Sequence, residues 1–261
     1  MFFHKGKYNK LFGYYIVDKF MFIYKYNDMK EEYNRDVNPY PSFGKKYNGE
    51  KAVISLTSWK ARINTVSKTL FSLIQQCPGF HIVLVLSEEE FPKMCEELPE
   101  NLMLFVENEM IELLWVYRNY KSFKKVLFTM DKYRDVPVIS ADDDCIYTCN
   151  YAQELYDKWK VDDTYCYKFS FASHKWDFMT QGPATLYSPL YFNLLISSFA
   201  KYKIKDYRDD GFMETIFKKI NRKILDCGHH YFPFNFHDEF CPINGGSRNY
   251  LPHWNRQYMF R

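Results

Sequence analysis

Apolar residues along the chain fall into two kinds of pattern. Ala52–Leu56, apolar except for Ser55, predicts a first strand, and the continuous apolar run Ile82–Leu86 is typical of a strand buried inside a parallel sheet. Between these runs, apolar side chains recur at the spacing of one helical face, at Val66, Leu70, Leu73, Ile74 and Cys77. This spacing predicts a helix that has Asn64 as its N-cap and ends before Pro78.

The same alternation continues through the middle of the chain. We expect a helix over Glu88–Leu98, a strand over Leu102–Val106, a helix capped by Ser122 and a strand over Val136–Ser140. Strands that alternate with helices predict an α/β fold with a doubly wound, mostly parallel sheet and helices on both faces. Such sheets bind ligands at the carboxyl ends of their strands.

The pattern is weaker at the two ends of the chain. After residue 150 we expect helices over Ala152–Trp159, Pro189–Ala200 and Gly211–Ile220. A loop rich in Pro, Gly and Asn over residues 38–49 follows an aromatic and basic N-terminal segment. The sequence therefore predicts this segment over residues 1–45 and a single domain over residues 46–261.

Composition and charge indicate which partners and which cellular compartment to expect. The formal net charge of +3 is too small to indicate nucleic acid as a partner. Seven scattered cysteines, an odd number, favour a reducing cytoplasmic compartment. Charged residues interrupt the apolar stretch Leu11–Tyr26, which is too polar to span a bilayer. It fits either an amphipathic segment packed on the domain or peripheral contact with the inner face of a membrane.

An acidic cluster, Asp142-Asp143-Asp144, directly follows the predicted strand Val136–Ser140. Adjacent carboxylates repel one another unless a cation or hydrogen bonds compensate, and their oxygens suit a hard divalent cation. In an extended segment, residues two apart share a face, so Asp142 and Asp144 should point together, away from Asp143. At a strand end this pattern predicts a metal site, although a solvated acidic turn is the simpler alternative.

Several motifs occur in the order found in a group of bacterial polysaccharide glycosyltransferases. They are Ile54-Ser-Leu-Thr-Ser58 with Arg62-Ile63, Ser72-Leu73, Gln75-Gln76, Leu84-Val-Leu-Ser-Glu-Glu-Glu-Phe-Pro92, Tyr120-Lys-Ser-Phe-Lys-Lys125, the acidic cluster, Gly182-Pro-Ala-Thr-Leu-Tyr-Ser-Pro189 and Asp209-Asp210. On these residues, which cover residues 51–220, the chain resembles enzymes of the GT-A fold that make capsule or lipopolysaccharide chains.

The resemblance implies a role for each acidic pair. Asp142 and Asp144 match the DxD motif, which holds a divalent cation, Mn²⁺ or Mg²⁺, on the diphosphate of a nucleotide-sugar donor. We expect that donor to be UDP-linked. Asp209 and Asp210 match a later acidic pair in which one carboxylate is the catalytic base, and we assign that role to Asp210. Asp209 would then be a structural or acceptor-orienting partner.

Matches on the acceptor side are less complete. Ala184 stands where the related enzymes tend to have a second Gly, and Gly211-Phe212 stands where they have an Ile-Trp pair. These departures concern the shape of the acceptor site more than donor chemistry. By resemblance, we expect acceptor contacts at Trp176, Gln181 and Gly182, and an added metal ligand at His237 or His253.

Donor contacts are expected at the ends of the first strands and at the start of the helix before the acidic cluster. The candidates are Ser55, Thr57, Ser58, Arg62, Glu88, Lys121, Lys125 and Asp143. Hydroxyl and backbone N–H groups suit a nucleotide, and guanidinium or ammonium groups suit its phosphates. The hydroxyls also have an ordinary interpretation as turn caps, and the charges as parts of a solvated surface.

The sequence thus predicts a metal-dependent, inverting glycosyltransferase, with residues 46–150 on the nucleotide-sugar side and 151–261 on the acceptor side. Its acceptor would be a glycan, or a lipid-linked glycan, of surface polysaccharide biosynthesis. A retaining mechanism, a sugar-nucleotide nucleotidyltransferase and a non-catalytic glycan-binding protein are the alternatives. The nucleotidyltransferase normally has a Gly-rich loop after the first strand, and Leu56-Thr-Ser-Trp-Lys60 contains no Gly.

Overall fold

A computed structural model of the protein describes residues 41–170, 184–201 and 209–229. The strands within these ranges are β1 (Ser42–Gly44), β2 (Ala52–Thr57), β3 (Phe80–Ser87), β4 (Glu112–Val116), β5 (Val138–Ser140), β6 (Cys166–Ser170), β7 (Thr185–Tyr187) and β8 (Ile224–His229). The α-helices are α1 (Val66–Leu73), α2 (Glu100–Glu107), α3 (Lys124–Lys132), α4 (Tyr151–Val161), α5 (Phe192–Lys201) and α6 (Asp209–Lys219).

The strands form one sheet in the order β1-β4-β3-β2-β5-β7-β6-β8. Neighbouring strands from β4 to β5 are parallel to one another, whereas β1 and β7 run antiparallel to their neighbours and β8 is parallel to β6. The chain runs outward from β2 through β3 to β4 and then returns to β5 on the other side of β2. The predicted α/β class with a doubly wound, mostly parallel sheet is confirmed.

Each face of the sheet is covered by its own hydrophobic core. Ile54 and Leu56 of β2 point into a core with the apolar faces of α1, α2 and α4. Val53 points to the opposite face, where α3, α5 and α6 supply the partners, among them Val126 and Ile216. Alternate residues of one buried strand therefore enter different cores, which is why β2 is apolar except at Ser55 and Thr57.

The strand predicted over Leu102–Val106 is wrong, because this segment belongs to helix α2. Leu102 and Val106 are its two buried residues, and four-residue spacing places both on one helical face. The third parallel strand is instead Glu112–Val116, all of whose residues are buried.

The helix predicted over Glu88–Leu98 is also wrong. Only a short 3₁₀ helix, Met94–Glu97, forms in this segment. Pro92 explains the difference, because proline disfavours the helical conformation of the preceding residue and lacks a backbone donor. At α1, the N-cap residue is Thr65 rather than Asn64, and the helix ends at Leu73.

The remaining predicted elements are confirmed with shifted ends. The strand before the acidic cluster begins at Val138, and the helix predicted to be capped by Ser122 begins at Lys124, with Phe123 as its N-cap residue instead. Within the described ranges, no helix is both long enough and apolar enough to cross a membrane. Residues 1–40, most of the predicted N-terminal segment, lie outside the described residues.

Candidate functional site

The acidic cluster lies where the strand order reverses. β2 and β5 are parallel neighbours, so their carboxyl ends share one edge of the sheet, and β3 and β4 lie on the far side of β2. The backbone N–H of Ala141 donates to the carbonyl oxygen of Ser55 at 2.8 Å, which extends the pairing to the residue before Asp142. Ligands of open α/β sheets bind in the crevice at such a reversal.

Asp143, the middle residue of the cluster, is anchored inside the protein. Its side chain is only 7% exposed. The Ser58 hydroxyl donates to Asp143 Oδ2 at 2.6 Å, and Arg62 Nη1 donates to Asp143 Oδ1 at 2.9 Å. Both partners come from the connection between β2 and α1, so Asp143 joins the ends of the two strands that flank the crevice.

Arg62 also contacts the third carboxylate, with Nη1 2.8 Å from Asp144 Oδ2. Burial acts to lower the pKa of the Arg62 guanidinium, but the charges of Asp143, Asp144 and Asp142 outweigh it and the pKa is raised. The segment is a turn rather than an extended strand. The predicted alternation, with Asp143 facing away from Asp144, therefore does not hold.

Asp142 is the carboxylate open to solvent. Its side chain is 33% exposed, whereas that of its partner Lys125 is 3% exposed, and Lys125 Nζ lies 2.5 Å from Asp142 Oδ1. The Asp142 backbone N–H donates to the Tyr147 hydroxyl at 2.8 Å. Asp142 Oδ2 forms no hydrogen bond with the described part of the chain, so it can accept a further cationic partner.

Thr69, on the inner face of α1, holds the backbone of the acidic turn. Its hydroxyl lies 3.0 Å from the Asp143 carbonyl oxygen and 2.9 Å from that of Cys145. Because the side chain is fully buried, this hydroxyl has no competing water. The two carbonyls flank Asp144, whose position along the turn is therefore fixed by a residue distant in sequence.

Ser72 and Gln76 make similar contacts with the segment that follows the acidic turn. Ser72 Oγ accepts a hydrogen bond from the Tyr147 backbone N–H at 3.1 Å, and Gln76 Nε2 donates to the Thr148 carbonyl oxygen at 2.7 Å. Sequence reasoning did not assign this role to Thr69, Ser72 or Gln76. Thr69 and Ser72 lie three residues apart on one face of α1, and Gln76 follows four residues later, just after the helix ends; this spacing of polar residues was the available signal.

The charges of the site favour a bound cation. Three carboxylates meet two cations, Arg62 and Lys125, so the cluster carries a formal charge of −1. Within the described residues, no group of three or more His, Cys, Asp and Glu side chains could hold a metal ion. Mg²⁺ nevertheless needs only one or two carboxylates when substrate phosphates and water complete its shell. In chemical type, the carboxylate oxygens of Asp142 and Asp144 suit such a cation; Asp144 is 8% exposed and paired with Arg62.

The structure does not bring all of the other predicted donor contacts to this edge of the sheet. Ser55 is fully buried and its hydroxyl hydrogen-bonds to Thr129 of α3 at 2.7 Å, while the Thr57 hydroxyl donates to Val85 O at 2.6 Å. Glu88 directly follows β3 and is half-buried. Lys121 is exposed in the turn before α3, and its backbone N–H donates to Asn119 at 3.0 Å.

Lys124 is buried rather than part of a solvated helix face. It is 1% exposed, and Nζ lies 3.0 Å from Asn119 Oδ1 and 3.3 Å from Glu90 Oε2. Burial lowers the pKa of its ammonium group, and the Glu90 carboxylate partly opposes this shift. Lys124 therefore fastens the start of α3 to the loop after β3, which helps to fix the neighbouring Lys125.

The late acidic pair begins α6, because Asp209 and Asp210 are the first two residues of that helix. Phe212, in the same turn, makes an edge-to-face contact with Phe123, with ring centroids 5.3 Å apart. Phe123 lies two residues before Lys125, so the start of α6 packs beside the start of α3. The predicted acceptor and histidine positions, Trp176, Gln181, Gly182, His237 and His253, lie outside the described residues.

Comparison with known proteins gives only remote structural likenesses. No protein-family model and no curated protein matches the chain. The glycosyltransferase GlyE of Streptococcus pneumoniae TIGR4 is 16% identical over 69% of this chain and 45% of its own, with a TM-score of 0.42. TarS 1–349 of S. aureus is 11% identical over 64% of this chain and 55% of its own, with a TM-score of 0.46.

A third solved structure is the mannosyltransferase PcManGT from Pyrobaculum calidifontis in complex with GDP-Man and Mn²⁺. It is 14% identical over 82% of this chain and 67% of its own, with a TM-score of 0.46. This chain spans about half the length of the first two proteins. Similarity at this level assigns neither a substrate nor a metal to this chain.

Proposed function

We propose that this chain is a metal-dependent glycosyltransferase that moves a sugar from a nucleotide-sugar donor to a glycan acceptor. The observation that carries the proposal is the acidic turn at the carboxyl ends of β2 and β5. Its backbone is held by Thr69, and its two inner carboxylates are held by Arg62. A fixed set of carboxylates in the crevice of a doubly wound sheet suits the diphosphate of a nucleotide bound through a cation.

Asp142 and Asp144 would hold a divalent cation, Mn²⁺ or Mg²⁺. When bound, this cation supplies positive charge to the donor diphosphate and stabilises the charge that develops on it as it leaves. Arg62 and Lys125 would have different roles beside this cation. Arg62 keeps the inner carboxylates oriented, and Lys125 places a second positive charge beside Asp142, within reach of a diphosphate at the same edge.

Asp210 is the proposed catalytic base. It accepts the proton of an acceptor hydroxyl while that oxygen forms a bond to the anomeric carbon of the donor sugar. The bond from this carbon to the diphosphate breaks on the opposite face, so the configuration inverts and the nucleoside diphosphate leaves. The Phe123–Phe212 contact supports this role, because it brings the start of α6 to the Lys125 side of the crevice.

The resemblance to polysaccharide enzymes supports the choice of substrate class. The donor would be UDP-linked, and the acceptor a growing glycan, free or lipid-linked, of a capsule or lipopolysaccharide chain. We place the enzyme in the cytoplasm, where nucleotide sugars are made. Its aromatic and basic N-terminal segment would contact the inner face of the membrane.

The test is release of nucleoside diphosphate from a panel of nucleotide sugars, with and without Mn²⁺. Release that requires both Mn²⁺ and a glycan acceptor supports the proposal, and the anomeric configuration of the product separates inversion from retention. Asp144→Asn should abolish release while the far-ultraviolet circular dichroism spectrum is unchanged. Pyrophosphate exchange instead of diphosphate release would indicate a nucleotidyltransferase, and full turnover by Asp144→Asn would disprove the metal role.

A further inference from the structure

A second polar cavity lies at the opposite edge of the sheet. It has a volume of about 550 Å³ and is lined by β1, the loop after β1, the start of β4 and the end of α3. Glu112, at its floor, is the first residue of β4, whereas the acidic cluster follows the carboxyl end of β5. Since β4 and β5 point the same way in the sheet, the cavity and the proposed donor site lie at opposite ends of the strands.

The walls of this cavity are cationic. Lys45, Lys46, Lys132 and Arg134 line it together with only two carboxylates, those of Glu112 and Asp135. The formal charge of the lining alone is +2, and Glu50 and Asp131, which pair with Lys45 and Arg134 from outside the lining, bring the sum to zero. A cavity of this size lined by cationic donors suits a small hydrophilic anion better than an apolar ligand.

Three of the cations are paired so that the cation faces outward and the acid lies behind it. The exposed side-chain fractions are 32% and 11% for Lys45 and Glu50, and 34% and 3% for Lys132 and Glu112. For Arg134 and Asp131 they are 61% and 6%. Glu50 and Asp131 do not line the cavity. The acids thus hold the cations in place, and of the three only Glu112 lines the cavity; fixed cations reduce the entropy lost when a ligand binds.

The floor is fixed by a buried hydrogen-bonded network around Glu112. His81 Nε2 lies 2.7 Å from Glu112 Oε2, and the Tyr133 hydroxyl donates to the same oxygen. Burial acts to raise the pKa of Glu112, but its hydrogen bonds to His81, Lys132 and Tyr133 prevail and lower the pKa to about 2. Since its oxygens are already taken by these partners, Glu112 leaves little negative charge to repel an anion.

We propose that this cavity is a second binding site, for a phosphate-bearing ligand of about the size of a sugar phosphate. The ligand would accept hydrogen bonds from Lys45, Lys46, Lys132 and Arg134. Its phosphate could belong to a soluble diphosphate or to a sugar phosphate within a glycan. This site is independent of the proposed donor site, because it needs no metal and uses none of the residues of the acidic cluster.

Isothermal titration calorimetry on the full chain tests the proposal in EDTA, which removes divalent cations. The two probes are inorganic pyrophosphate and a hexose 1-phosphate. We expect at least one to bind, and Lys46→Glu to weaken that binding by about tenfold at low salt. Lys158→Glu, an equal charge change on an exposed residue of α4, is the matched control and should leave the Kd unchanged. Stronger binding of the sugar phosphate would identify the glycan as the source.

A milder double variant, Lys45→Gln/Lys46→Gln, keeps the test valid if charge reversal perturbs folding. Lys125→Gln removes a cation of the proposed donor site and should leave binding of the probe unchanged. No binding of either probe at millimolar concentration would overturn the proposal. So would equal weakening by Lys158→Glu, which indicates nonspecific attraction, or loss of binding in Lys125→Gln, which places the anion at the donor site.

Discussion

Lys125 Nζ lies 2.5 Å from Asp142 Oδ1, so a buried ammonium group occupies the inner side of the most exposed carboxylate in the acidic turn. A divalent cation that approaches Asp142 from solvent would compete with this ammonium for the same carboxylate. Once Asp142 is shared with a metal ion, Lys125 can turn its charge to a diphosphate instead. Lys125 should therefore oppose binding of the metal ion alone and assist binding of the nucleotide. As a result, we expect the metal ion and the nucleotide to bind cooperatively.

Lys125→Gln is expected to have opposite effects on these two ligands. Mn²⁺ alone should bind severalfold more tightly, because a competing cation is gone, whereas nucleoside diphosphate in saturating Mn²⁺ should bind about tenfold more weakly. Electron paramagnetic resonance of free Mn²⁺ and calorimetry with the nucleotide measure the two changes. Lys158→Gln provides the control, and a change of the same sign for both ligands would contradict this role of Lys125.

Asp143 and Asp142 should differ in their importance for folding. Asp143→Ala removes a buried partner of Ser58 and Arg62 and is expected to lower the free energy of unfolding by about 3 kcal/mol. Asp142→Ala removes a partly exposed carboxylate but takes a partner from the buried ammonium of Lys125, and should cost less, about 1–2 kcal/mol. Urea unfolding of the two variants checks the difference. Equal losses would mean that Arg62 does not depend on Asp143.

Thr69→Val replaces the hydroxyl with a methyl group of similar size. Two carbonyl oxygens in the acidic turn then lose their donor, so we expect the free energy of unfolding to fall by about 1–2 kcal/mol. The loosened turn should also bind Mn²⁺ more weakly. Thr69→Ser retains the hydroxyl and serves as the control; if its Mn²⁺ affinity falls as far as that of Thr69→Val, the hydroxyl is not the cause.

Glu112 should make the stability of the fold depend on acidic pH. Its folded-state pKa of about 2 lies below the usual value of 4.5, so its contribution is present above pH 4.5 and is lost as the pH falls towards 2. The shift corresponds to about 3 kcal/mol, at about 1.4 kcal/mol per pKa unit. Glu112→Gln should reduce the dependence of the unfolding free energy on pH over this range. The same pH dependence in the variant as in the unmodified chain would mean that Glu112 is not its source.

Asp210→Asn should separate chemistry from donor binding. If Asp210 is the base, its neutral amide cannot accept the acceptor proton, and turnover should fall by about 10²-fold or more. Calorimetry with nucleoside diphosphate and Mn²⁺ should give an unchanged Kd, because the acidic turn is intact in this variant. Asp209→Asn is the matched comparison and should retain more turnover. The reverse order of the two variants would move the base to Asp209.

Of the four parallel strands, β2, β3 and β5 were predicted near their observed positions, and β4 was not. Strands β2 and β3 are buried on both faces and therefore mostly apolar, which makes their pattern clear. The segment around Leu102 was misread because a short apolar run fits either a strand or a helical face. The helix over Glu88–Leu98 was wrongly predicted because Pro92 interrupts it. Strands β1 and β7 were missed because each has only three residues, and β6 and β8 because they pair with each other across a long stretch of sequence.

For the candidate site, strand order was enough to place the acidic cluster at a ligand-binding edge. The roles of the individual carboxylates were not predictable in the same way. Whether Asp143 points inward depends on Ser58 and Arg62, which reach it from a different strand end. Periodicity describes which side of an element a residue occupies and contains no information about its partners across the fold.

The contacts of Thr69 with two carbonyl oxygens of the acidic turn make α1 a support of the proposed metal site, although the helix need not touch a ligand. One side of this helix is thereby constrained by chemistry and the other is not. Phe71 is 60% exposed and can vary without consequence for the turn. In related sequences, the hydroxyl at position 69 should persist for as long as the acidic turn does, even where the outer surface of α1 has changed completely.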